Sequence, residues 1–304
     1  MEFTFQVPGK TFLLGEYAVL RSAPALIMCH EPSYRFRVSH RARAGLTELQ
    51  RFFHPQSPAG YLVQHSALQG AQVFISCEHQ YGEGGFGLST AEFWVAHQLL
   101  SLIDRSGSHE FLAGASLPLD VDHLSLIQSY WRVFDHQNQS RPSGADLQAQ
   151  SKGGFCYIDQ KQSVLQTIRW PFPELSVCVV PTGKKLKTHE HLQKMQQVDF
   201  GDLVQISEMI AGVFQQEKPE LLIDLVQQYG RLLQEKGLVA DHTQEMMRDL
   251  QTLPGVLATK GCGAMGADSM LAIVRFSEKE MFLRQLFEKS WRVYDHLGQG
   301  GFIA

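Results

Sequence analysis

Gly84-Gly85-Phe86-Gly87-Leu88-Ser89-Thr90-Ala91-Glu92, followed at once by FWVAHQLLSLID, is a glycine-rich turn feeding an apolar pattern of helical period. Val95, Leu99, Leu102 and Ile103 recur at helical spacing. Ser89 or Thr90 can cap the first turn, with Glu92 placed for a capping box. The glycines let a backbone approach a ligand, and a helix start aims free N–H groups and the positive end of a dipole at it. Ser89 or Thr90 could add a hydroxyl to phosphate or to Mg²⁺. The stretch is therefore either a loop that cradles phosphate or a flexible turn before a core helix. It is not GxxxxGK[ST], because no lysine follows, nor GxGxxG, because Ala91 takes the last position.

On the N-terminal side, EFTFQV alternates polar and apolar residues and TFLLGEYAVL is a second run of β-formers, so PGK reads as a tight turn between two strands. Lys10 in that turn either reaches an anionic or reacting oxygen or is an exposed hairpin lysine. RFRV and VFIS read as further strands, and the stretch between them as helical pieces broken by Pro55 and Pro58.

On the C-terminal side, residues 120–137 read as a helix ended by SRPSGAD, which presents Asp146 at the start of a short helix. A carboxylate there is either an N-terminal cap or a general base kept charged by a nearby cation. Asp135, eleven residues earlier, either serves Mg²⁺ or lies on a solvated helix face. GGFCYID and SVLQTIRW suggest a hairpin, and SVCVVPT a buried strand. PTGKKLKTHEH clusters Lys184, Lys185 and Lys187, which receive an anionic substrate or form a solvated turn. His189 and His191, spaced i and i+2, argue against a metal site on one helix face.

Residues 188–252 are rich in helical signals, including LLIDLVQQYGRLLQEKG with Gly237 as a C-cap. GVLATKG and SMLAIVRF are strand-like and enclose KGCGAMGAD, residues 260–268. Two glycine-rich loops in one chain suggest a polyanion touched by backbone from two sides. A boundary near residue 170 would divide an N-terminal lobe, 1–170, from an α+β lobe, 171–304. WRVFDHQNQ at 131–139 and WRVYDHLGQ at 291–299 echo each other, but nothing between them repeats, so they read as chance.

At 304 residues, 44% hydrophobic and 19% charged, the chain can bury one or two cores. A net charge of -4 gives no reason to expect nucleic acid or an anionic membrane, so a small-molecule partner is the expectation. Five scattered cysteines without CxxC spacing indicate neither a disulfide framework nor a zinc knuckle. Absent a signal-peptide pattern or a spanning apolar run, the cytoplasm is the expected compartment.

In this order, the stretches resemble the GHMP family of small-molecule kinases, named for galactose, homoserine, mevalonate and phosphomevalonate kinases. PGKTFLLGEYAVL with Pro24 to Leu26 is similar to the family's first motif. GFGLSTA stands in the place of its phosphate loop, GLGSSAA. PSGAD with Gly153-Gly154 resembles the pattern around the catalytic aspartate, TGKKLKT the TG-x4-T stretch, and KGCGAMGAD the third, glycine-rich motif. Leu88 replaces the first loop serine and Met265 interrupts the usual GAGGG. Tyr17 and Asp268 are closer to phosphomevalonate kinases, whereas PSGAD and the short chain are closer to mevalonate kinases.

The resemblance implies an α+β, two-lobed fold, with an N-terminal ribosomal-protein-S5-like α/β lobe, a C-terminal α+β lobe and the active site between them. It implies ATP and Mg²⁺, with mevalonate or 5-phosphomevalonate as acceptor. A non-catalytic nucleotide or metabolite sensor and a kinase of homoserine or a sugar are the alternatives. Asp146 would take the acceptor's proton, and Lys10 would sit by it and stabilise the developing alkoxide. Gly85, Gly87, Ser89 and Thr90 would meet the nucleotide, Ser89 and Asp135 the metal, and Ser143, Gly144, Thr188 and Gly263 the substrate. A homodimer is an assembly the resemblance leaves open.

Overall fold

The structure is a computed structural model that describes residues 2–79, 85–106, 122–184 and 198–295. Two compact units are built from interleaved segments. One comprises Met1–Gly9, Pro32–Gln80 and Gly87–Ser151, and the other Lys10–Glu31, Tyr81–Phe86 and Lys152–Ala304. Strand β1 (Glu2–Leu14) runs unbroken through Pro8-Gly9, so Lys10 stands within a strand and not in the expected hairpin turn. The chain turns instead at Gly15, where φ is 97°, and enters a short 3-10 turn at Ala18–Arg21.

In the first unit, the second half of β2 (Ala25–Ser39) carries RFRV, whose Phe36 and Val38 are buried while Arg35 is exposed. That alternation is what a sheet with one covered face requires. Arg35 to Ser39 pair antiparallel with Glu78 to Phe74 of β4 (Phe74–Glu78), and β3 (Thr47–Glu48) pairs on β4 in turn. After α1 (Leu49–Phe52), α2 (Pro58–Gln64) starts where a proline costs least, at the first helical position, with Ser57 Oγ accepting the Gly60 N–H at 3.1 Å. Helix α3 (Leu88–Ser106) packs on α2 and on α4 (His123–His136). Val95, Leu99, Leu102 and Ile103 are buried as their spacing predicted, each such side chain contributing roughly 1.5–3 kcal/mol on burial. The helix begins at Leu88, so Ser89 and Thr90 lie inside its first turn and do not cap it from outside. Helix α5 (Ala145–Lys152) carries Asp146 in its first turn.

In the second unit, Ala25 to Met28 of β2 pair with Ile158 to Phe155 of β5 (Phe155–Asp159), and β5 forms the expected hairpin with β6 (Val164–Ile168). A four-stranded antiparallel sheet follows in the order β10 (Tyr294–Asp295), β7 (Leu175–Pro181), β9 (Ser269–Arg275) and β8 (Val256–Cys262). Its middle strands, VCVV and MLAIV, are continuous apolar runs buried along their length. After α6 (Gly201–Glu208) and α7 (Ile210–Gln216), α8 (Pro219–Glu235) and α9 (Asp241–Gln251) pack on β8. Helix α10 (Lys279–Glu288) packs on β9. Gly237 follows α8 as predicted, and the Leu238 N–H closes the helix end onto Leu233 O at 2.8 Å. The two sequence echoes part company: Trp131 to Asp135 are helical, whereas Tyr294-Asp295 form a strand.

Candidate functional site

In the first unit, the glycine-rich loop is tied to the helix that carries Asp146 by a residue the sequence did not single out. Gln150 lies one helical turn after Asp146, on the same side of α5, and is 4% exposed. Its Nε2 donates to Pro8 O at 2.8 Å and to Gly87 O at 3.2 Å, and its Oε1 accepts from the Thr90 hydroxyl at 2.5 Å. One side chain thus joins the PGK stretch, the loop and α5. The four-residue offset from Asp146 is the signal that could have found it. Thr90 turns its hydroxyl inward, also lying 3.0 Å from Gly87 O. Ser89 is exposed in the same first turn.

The Ala91 N–H is the first of α3 to bond back along the helix, to Gly87 O at 2.9 Å. The amides of Leu88, Ser89 and Thr90 precede any helical carbonyl they could reach, so they suit an anion.

Asp146 is presented by a braced turn. Trp131 Nε1 of α4 donates to Pro142 O at 2.9 Å, and Asp135 takes Arg141 in a two-point ion pair, both contacts at 2.7 Å. The guanidinium also lies over the Trp131 ring. The hydrogen bond from Arg141 holds the Asp135 carboxyl below its ordinary range, and both side chains are solvent-exposed. Ser143 Oγ accepts the Ala145 N–H at 3.4 Å, and Gly144, with φ 71°, packs so closely on Ile127 that a Cβ would overlap it. Burial pushes the Tyr130 hydroxyl well up, and the Asp146 carboxylate adds to the effect.

In the second unit, Lys10 is 8% exposed, and its N–H donates to Phe86 O at 3.0 Å, fastening the other end of the loop to β1. Both glycine-rich motifs close on one carboxylate. A Cβ on Gly85 (φ 75°) or on Gly263 (φ 87°) would overlap the Asp268 side chain, so both positions need glycine for the backbone angle and for space. Thr182, of the TG pair, donates its hydroxyl to Ala267 O, and its N–H donates to Asp268 O at 3.1 Å. Thr188, Lys185, Lys187, His189 and His191 lie outside the described residues, as does Gly84.

The second unit also holds a buried ion pair that sequence reasoning missed, Glu16 with Lys260, one residue from each of two recognised motifs. Tyr229 donates its hydroxyl to Glu16 O at 2.5 Å, and Cys262 Sγ lies 3.3 Å from Lys260 Nζ. Burial pushes the Glu16 carboxyl up, against the attraction of Lys260 and of Lys10. Burial likewise pushes the Cys262 thiol up to about 11, leaving it protonated at neutral pH. Met265, the residue that interrupts the third motif, adopts a left-handed conformation (φ 55°, ψ 28°), and its N–H donates to the Tyr17 hydroxyl at 3.1 Å.

No family model and no curated protein matches the sequence. Solved structures match it across nearly the full length of both partners. Methanococcus jannaschii mevalonate kinase shares 13% identity over 97% of this chain and 98% of its own, with a TM-score of 0.70. Streptococcus pneumoniae phosphomevalonate kinase, in complex with phosphomevalonate and AMPPNP, shares 16% over 97% and 99%, with a TM-score of 0.71. Lactococcus lactis galactokinase, complexed with galactose, shares 12% over 98% and 94%, with a TM-score of 0.61. Over nearly all of its length, the chain has the mixed helix-and-sheet, two-lobed fold of the GHMP small-molecule kinases.

Proposed function

We propose that this chain is an ATP- and Mg²⁺-dependent kinase that phosphorylates a small alcohol or phosphate, with mevalonate or 5-phosphomevalonate as the favoured acceptor. The observation that carries the reading is the braced turn that presents Asp146 on α5, tied through Gln150 to a glycine-rich loop whose amides at the start of α3 precede any helical carbonyl. Full-length likeness to three kinases of small hydroxyl or phosphate compounds supports it.

With an alcohol acceptor, Asp146 accepts the proton of the hydroxyl as its oxygen bonds the γ-phosphorus and the bond from that phosphorus to the bridging oxygen breaks; a phosphate acceptor attacks through an oxygen that is already ionised. Lys10 stabilises the hydroxyl oxygen as it loses its proton. The amides of Leu88, Ser89 and Thr90, with Gly85 and Gly87, receive phosphate oxygens. Thr90 contributes backbone, since its hydroxyl is engaged with Gln150. ATP supplies the phosphoryl group and Mg²⁺ the counter-charge for its phosphates. Among the described residues no three His, Cys, Asp or Glu side chains gather as a metal cage. The Ser89 hydroxyl would therefore hold Mg²⁺ together with phosphate oxygens, as is usual for that ion. Arg141, which engages both Asp135 oxygens, would compete with the metal for that carboxylate. Ser143, Gly144, Thr188 and Gly263 are proposed for the acceptor side, 1–170 and 171–304 as the two lobes, and the cytoplasm as the compartment. No nucleic-acid or membrane partner is proposed; no helix among the described residues is long and apolar enough to cross a membrane. Galactokinase among the structural relatives keeps a sugar acceptor as the second reading.

The test is ATP consumption with mevalonate, phosphomevalonate, homoserine and galactose, wild type beside Asp146→Asn. Turnover with one acceptor and a loss of at least about 100-fold in the variant is expected. ATP binding without turnover on any of the four would replace the kinase by a nucleotide sensor.

A further inference from the structure

Phe86 stands between Gly85 and Gly87 in the glycine-rich loop, yet its side chain is only 1% exposed. It meets two other rings edge-on, His30 at 5.6 Å and Tyr294 at 5.2 Å. His30 and Tyr294 lie parallel to each other at 6.3 Å, and His30 Nε2 shares a 3.0 Å hydrogen bond with Thr11 Oγ1. The backbone of the same loop residue is held by the Lys10 N–H at 3.0 Å. Neighbouring residues of β1 therefore hold this loop twice, Lys10 by its main chain and Thr11 through the His30 ring. Tyr294 arrives from β10, which is anchored on β7 by its pairing with Val179. The last described strand of the chain thus supplies one wall of the box around the loop's aromatic residue.

Glycines lose more conformational freedom on ordering than other residues, and a loop that binds anions through its amides works only if those amides are already in place. A buried ring among the glycines meets that need, because it fixes the loop by packing while leaving the amides unobstructed. We propose that Phe86, His30 and Tyr294 are positioning residues for the glycine-rich loop, through which β10 sets how tightly the loop takes the triphosphate of a nucleotide. The ligand rests on the kinase reading above; the ordering of the loop does not.

Two readouts on the full chain separate these parts: hydrogen exchange of the Lys10 and Ala91 amides, which donate to the loop carbonyls Phe86 O and Gly87 O, and the dissociation constant for ATP with Mg²⁺. Tyr294→Ala is expected to speed exchange at those amides by about tenfold or more, with the amides of α8 unchanged, and to weaken ATP by about tenfold. Tyr294→Phe, which keeps the ring, is expected to match wild type in both. Tyr294→Leu, which keeps apolar bulk without the stack, serves as the milder variant if Tyr294→Ala fails to fold, with the same direction expected. Loop exchange unchanged in the ring-deleting variants, or accelerated equally throughout α8, would overturn the positioning role. Faster loop exchange with ATP affinity unchanged would overturn the link to nucleotide. A wild type that binds no ATP would overturn that link together with the kinase reading, while the exchange result would still decide the role of the cluster.

Discussion

Lys260 and Glu16, 244 residues apart, form an ion pair in which the lysine side chain is 0% exposed and the glutamate 10%. Glu16 Oε2 is buried without a hydrogen-bond partner among the described residues, so the carboxylate depends on Lys260 for its compensation. Removing one partner of such a pair leaves a buried charge, whereas neutralising both leaves no charge to compensate. Lys260→Met is expected to cost roughly 3–5 kcal/mol in urea unfolding, and the double variant Glu16→Gln/Lys260→Met to recover most of it. A double variant as unstable as the single would show that packing, not charge, holds β8 against the turn after β1.

Glu92 offers a pH test in the first unit. Burial pushes its carboxyl from 4.5 up to about 7, and its charge in turn helps to push the Cys77 thiol up to about 12, after burial. The folded chain therefore holds this proton more tightly than the unfolded chain, and stability falls as pH rises from about 4.5 through about 7. Glu92→Gln is expected to match wild type near pH 4 and to exceed its stability at pH 8, by up to about 3 kcal/mol. Thermal melts at the two pH values check it; a variant weaker than wild type at pH 8 would mean that the charged form has a compensating partner.

Two glycines with positive φ should answer differently to alanine. Gly263 (φ 87°) has Asp268 where a Cβ would lie, whereas Gly153 (φ 73°) has open space. Gly153→Ala should cost about 1 kcal/mol, the left-handed penalty alone, and Gly263→Ala measurably more, with displacement of the third motif. Equal losses in denaturant titration would refute the close packing on Asp268.

Gln150→Leu keeps the volume at the junction of loop, strand and helix but leaves Pro8 O, Gly87 O and the Thr90 hydroxyl without their shared partner. A destabilisation of about 2 kcal/mol or more is expected. Under the kinase reading, kcat should fall as well, since the same helix presents Asp146. Full activity with lowered stability would restrict Gln150 to a structural role.

Much of the local structure was legible because it is written in short-range chemistry. The apolar spacing of Val95, Leu99 and Leu102, the Gly237 helix end and the β5–β6 hairpin all follow from neighbours in sequence. Pro8-Gly9 misled for the converse reason. A breaker pair predicts a turn, but β1 passes through it, and Pro8 contributes its carbonyl to Gln150, a partner 142 residues away. The Ser89 and Thr90 cap failed similarly, because the helix begins one residue earlier and the Thr90 hydroxyl finds Gln150.

By itself, the sequence determined the order of the glycine-rich loops, the placement of Asp146 at a helix start and the resemblance of fold, since backbone angles, caps and periodicity are local properties. Tertiary structure alone decided which side chains share a carboxylate, a ring or a charge. Asp268 lies against both Gly85 and Gly263, Phe86 sits among His30 and Tyr294, and Glu16 meets Lys260. The two WRV echoes show why: the same residues form a helix in α4, while the second copy enters strand β10, whose backbone bonds to β7. Propensity is worth tenths of a kcal/mol per residue, and packing against a sheet outweighs it.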